Sequence, residues 1–110
     1  MKIKTLLFLL LFSGAYAQNQ EDAEKLVEAG IVLHDKGDYE GAIKNYDNAL
    51  RLDKDNLFAL IEKSLTLSSL NKFDEVITIS KQAIATHPNS KLQNIYVTYG
   101  NALDHLKKTD

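Results

Sequence analysis

From about residue 20 onward, apolar side chains recur at spacings of three and four. Leu26, Ala29, Gly30 and Leu33 line one segment, and Ile43, Tyr46, Ala49 and Leu50 line the next. That period puts each set on one face of a helix and predicts a pair of amphipathic helices. The pair is hinged at Gly37, which tolerates the left-handed conformation that ends a helix. Asp38 follows, with a carboxylate able to accept from the exposed amides of the second helix. Asp53-Lys54-Asp55-Asn56 and His87-Pro88-Asn89-Ser90 read as stops, because Pro88 cannot continue a helix and Asn56 or Ser90 suits the cap of the next.

The pattern occurs twice. Gly37-Asp38-Tyr39-Glu40-Gly41-Ala42-Ile43 matches Asn71-Lys72-Phe73-Asp74-Glu75-Val76-Ile77 at a shift of 34 residues, and the match extends to Leu26 with Leu60, Leu33 with Leu67 and Ala49 with Ala83. A period of this length marks a helical-repeat architecture. Asn71 takes the hinge role of Gly37. A third segment, Leu92 to Lys108, repeats the first helix only, with Tyr96, Tyr99, Gly100, Leu103 and Leu106 as its expected packing face. Matching Gly100 to Gly30 and Ser64 requires two extra residues after Ser90, so a longer turn is expected there.

Small residues at Gly30, Ala42 and Ala49, large ones at Leu26, Leu33, Tyr39 and Tyr46, and the 34-residue period resemble the tetratricopeptide repeat over residues 20 to 108. The second unit departs from the pattern at Lys63, Ser64, Val76 and Ser80. The resemblance implies an all-α, right-handed solenoid of helix-turn-helix repeats, about two and a half in number, with a C-terminal capping helix. Repeat 1 covers about 23–56, repeat 2 about 57–90, and the partial third repeat about 92–108. One helical pair cannot bury its apolar face alone, so neighbouring pairs stack and the end needs a cover.

The resemblance further implies a concave groove lined by the first helices, which carries peptides or other proteins. Its positions here are Val27, Ile31 and His34, then Phe58, Ile61, Leu65 and Ser68, then Asn94, Val97 and Asn101. Packing between adjacent first helices accounts for an apolar stripe at these positions equally well. The lysine, asparagine and arginine with which some family members hold a terminal carboxylate are replaced by Val27, Ile31, Glu62, Asn94 and Thr98, so that clamp is missing.

The start of the chain reads differently. Lys2 and Lys4, the apolar run Leu6 to Phe12, and Ala15-Tyr16-Ala17 form a secretory leader over residues 1–17, with cleavage between Ala17 and Gln18. The run is shorter than the roughly 20 residues a spanning helix needs, and no later segment is suited to a bilayer. Residues 18–110 are then one domain, exported to a periplasm or the exterior of a bacterial-type envelope. Removing the leader leaves 11 basic against 15 acidic residues, a formal charge of −4. Lys107-Lys108 is its only basic pair, which argues against a nucleic-acid partner.

The chain contains no cysteine. Its three histidines, His34, His87 and His105, lie on separate segments, so neither a metal nor another cofactor is expected. His34 and His105, beside Asp35 and Asp104, fall where histidines stabilise helix ends, and Glu21-Asp22 and Asp74-Glu75 where acids favour first turns. Neither a GxSxG elbow nor a glycine-rich phosphate loop occurs. The expected function is therefore a non-enzymatic scaffold or adaptor for another protein or peptide. The alternative is a self-associating structural segment, a homodimer or a fragment of a longer array.

Overall fold

The computed structural model describes the backbone of residues 2–109 and the side chains of residues 14–107. Five helices follow in order, α1 Lys2–Asp35, α2 Tyr39–Leu52, α3 Leu57–Ser69, α4 Phe73–Thr86 and α5 Gln93–Thr109, and no strand occurs among the described residues. Each turn has a local cause. Gly37 has φ +84° and Asn71 φ +58°, so both hinges adopt the left-handed conformation. Asp38 accepts from the Gly41 amide and Asn56 from the Ala59 amide, each at 3.0 Å, which caps α2 and α3.

Ser90 does not cap α5. The helix starts at Gln93, two residues later than strict period requires, so Ser90 stays in the turn and its amide donates to the His87 carbonyl. Those two residues are the longer turn that the alignment of Gly100 with Ser64 demands. α1 is the larger departure, because it is continuous from Lys2 through Ala17 and Gln18 instead of starting near residue 23. The expected leader's charges and apolar run, Lys2 to Phe12, lie outside the residues whose side chains are described. Glu21 and Asp22 therefore sit inside α1 rather than in a first turn, and Glu21 pairs with Lys25 one turn on, at 3.1 Å.

Two apolar clusters hold the helices together. The first joins Val27 of α1, Tyr46 and its flanking alanines 42 and 49 of α2, and Ala59 of α3. The second joins Leu60 and Leu67 of α3, Val76, Ile79 and Ala83 of α4, and Ile95 and Ala102 of α5. Leu50 packs against both. The close approach of α1 and α2 depends on Gly30, where an added Cβ would stand 2.5 Å from the Tyr46 ring. In the second unit the positions equivalent to Gly30 and Tyr46 are Ser64 and Ser80, both fully buried.

Lys63, which the alignment places at the alanine position of repeat 1, reaches Asp47 of α2 at 2.6 Å and ties the two units together. On α5 the packing face differs from the expected one. Leu92, Ile95, Thr98 and Ala102 are buried and Tyr99 and Leu106 half-buried, while Tyr96 and Leu103 are exposed and nothing stands within 4 Å of a Cβ built on Gly100. On α1 and α3 the equivalents of Tyr96 and Leu103 are covered by the helix that follows, and no described helix follows α5.

Candidate peptide-binding face

The first helices form one layer, in which α1 touches α3 and α3 touches α5. The second helices α2 and α4 lie behind it with their backbones farther apart than those of neighbouring first helices, and a cleft opens between them. A stack whose members touch on one side and splay on the other curves toward the touching side, so α1, α3 and α5 line the concave surface.

Of the positions expected there, Val27 is not available. It is fully buried in the first cluster, because the α1 face that carries it is covered by α2 and the start of α3. Ile31, Ile61, Leu65 and Ser68 are half-buried, and Ile61 also supports the second cluster. Phe58 is 39% exposed and Val97 56%, while Asn94 and Asn101 are exposed. The concave strip is therefore narrower than the sequence implied, with Phe58 and Val97 as its freely accessible apolar side chains.

His34 has a structural partner. One ring nitrogen lies 2.8 Å from the Thr66 hydroxyl of α3, and the edge of the ring meets Tyr39. Thr66 also neighbours the Tyr46 hydroxyl, which is buried without a well-formed hydrogen bond. Burial pushes that hydroxyl above its ordinary range, the Thr66 contact opposes this, and Glu62 and Asp35 add to it. Burial likewise raises the Glu62 carboxyl, with His34 pulling it down and Asp35 pushing it up. The remaining histidines are also engaged. His87 contacts the Asp55 carbonyl from the end of α4, and His105 stacks on Phe73 with ring centroids 4.3 Å apart. Among the described residues no group of acids and histidines is arranged to hold a metal.

One feature of this face was missed by sequence reasoning. A cleft of about 630 Å³ opens between α1, the α2–α3 turn and the start of α3. Glu24 stands on one wall, the turn Asp53 to Asn56 on another, and Phe58 and Ile61 on the third. The turn is held in shape by Asn56, which donates to the Asp53 carboxylate at 3.0 Å, and by Gln82, which donates to the Asp55 carboxylate at 3.3 Å. In the sequence these residues read only as helix stops. The available signal was their charge, two aspartates around one lysine beside an apolar first turn.

The TPR repeat family model matches residues 30–59, from Gly30 through α2 to the first turn of α3. A tetratricopeptide repeat accordingly spans residues 30–59. The chain is 29% identical over 73 residues to Protein STIP1 homolog of Dictyostelium discoideum, covering 66% of this chain and 13% of the relative. It is 25% identical over 91 residues to TPR repeat-containing thioredoxin TTL4 of Arabidopsis thaliana, covering 78% and 13% respectively. The chain thus spans about an eighth of the length of the curated relatives it matches. Tetratricopeptide repeats are generally protein-interaction modules, and no helix among the described residues is long and apolar enough to cross a membrane.

Proposed function

We propose that this tetratricopeptide repeat chain is a non-catalytic interaction module, exported from the cytoplasm, that holds a peptide or helix of another protein along the concave face of α1, α3 and α5. The observation that carries this reading is the pair of exposed apolar side chains on that face, Phe58 and Val97, set among the half-buried Ile31, Ile61 and Leu65. An apolar strip on stacked helices gains affinity mainly from buried area, with rim polar groups setting orientation. Random peptides displayed on phage and selected against the immobilised chain should yield binders. Phe58→Lys and Val97→Asp should each weaken those binders at least tenfold while the helical circular dichroism stays unchanged. Binders indifferent to both substitutions would move the site off this face.

Export rests on Lys2, Lys4, the apolar run to Phe12 and the small residues of Ala15-Tyr16-Ala17. The cleavage position between Ala17 and Gln18 is exposed on α1. Expressed in a bacterium with an outer membrane, the full sequence should give a periplasmic product whose intact mass begins at Gln18. A cytoplasmic product retaining residues 1–17 would overturn the export reading.

A second reading, self-association, draws support from Tyr96 and Leu103, exposed on either side of Gly100 on α5. Sedimentation over a wide concentration range separates the two, because a monomer throughout removes the dimer. A dimer weakened by Leu103→Asp would favour the structural role.

A further inference from the structure

We infer that the cleft beside the α2–α3 turn takes a cationic apolar peptide segment, with an apolar side chain against Phe58 and Ile61 and a lysine or arginine next to it facing Glu24, Asp53 and Asp55. This rests on the interaction-module reading above and specifies the chemical class of its partner. The cleft, about 630 Å³, falls in the range of pockets that hold a few side chains. Its walls bring three carboxylates, Glu24, Asp53 and Asp55, against a single lysine, Lys54, leaving a formal surplus of two negative charges. The other titratable groups on its walls are Tyr16 and His87, and His87 is already engaged with the Asp55 carbonyl.

The carboxylates are held ready. Asp53 accepts one hydrogen bond from Asn56 and Asp55 one from Gln82. An ionised carboxylate offers about four acceptor sites, so each keeps capacity for a charged donor. Asn56 is itself buried and caps α3, which fixes the turn before any partner arrives and lowers the ordering cost of binding. An acidic segment would set like charges against this wall, whereas a basic one meets opposite charge while its apolar neighbour covers Phe58. Tyr16 also borders the cleft, but the residues that define its chemistry all lie after Gln18 and persist if the leader is removed.

The peptides selected on phage against the full chain test this directly. Binders should be enriched in lysine or arginine adjacent to a large apolar residue. For one such synthetic peptide, Glu24→Lys should weaken binding at least fivefold and Lys54→Glu should strengthen it at least threefold. Both side chains are exposed, so neither change disturbs the fold, and both effects should shrink at 0.5 M sodium chloride. Neutral or acidic binders, or equal responses to the two substitutions, would overturn the cationic assignment while leaving the groove standing if Phe58→Lys still abolishes binding. A selection that yields no binder removes both.

Discussion

At the scale of single residues, Gly30 and Gly100 hold equivalent positions on first helices, yet their surroundings are opposite. A methyl group on Gly30 would collide with the buried Tyr46 ring, and one on Gly100 meets nothing within 4 Å. Overpacking costs about 1–3 kcal/mol, while replacing glycine by alanine inside a helix gains about 1 kcal/mol. Gly30→Ala should therefore lower the free energy of unfolding, and Gly100→Ala should raise it by about 0.5–1 kcal/mol, as read by urea denaturation. A gain at both positions would mean that Tyr46 has room to move. The hinges Gly37 and Asn71 and the caps Asp38 and Asn56 were all legible in the sequence, because their roles are local and need only the adjacent backbone. Lys63 was not legible, since its meaning lies in Asp47 on another helix.

Among elements, the contact of α1 with α3 carries the titratable chemistry. Glu62 of α3 is desolvated near His34 and Asp35 at the end of α1, which raises its carboxyl above the ordinary 4.5. The folded chain thus holds that proton more readily than the unfolded chain, and this group's contribution to stability falls as pH rises through the window above 4.5. Glu62→Gln, neutral at every pH, should raise Tm at pH 7.5, and the advantage should close as pH approaches 4.5. A lower Tm for the variant at pH 7.5 would show that attraction to His34 outweighs burial. Element identity and order follow from apolar periodicity, which is why α2, α3 and α4 were predictable. The packing face of α5 was not. Tyr96, Gly100 and Leu103 copy a pattern that on α1 and α3 is covered by the next helix, and periodicity carries no information about whether that helix is present.

For the whole molecule, the repeat period led to the stacked architecture and to the two-residue slip before α5, but not to the cleft. That cleft assembles Glu24, the Asp53 to Asn56 turn and Phe58 from three elements, and depends on how tightly α3 docks beside α1. Val27 shows the same limit, since a position transferred by resemblance to the groove is taken up by the core. The two apolar clusters share Leu50, so neighbouring units are coupled while distant ones are not, as expected for a quasi-one-dimensional stack. The wider backbone separation of α2 and α4 than of neighbouring first helices bears on how this stack deforms. Flexing that widens or narrows the inner surface works against the α1–α3 and α3–α5 contacts and also against the α2–α3 seam with its Lys63–Asp47 pair. Any change of curvature is therefore centred on α3, the one described helix that touches all four others.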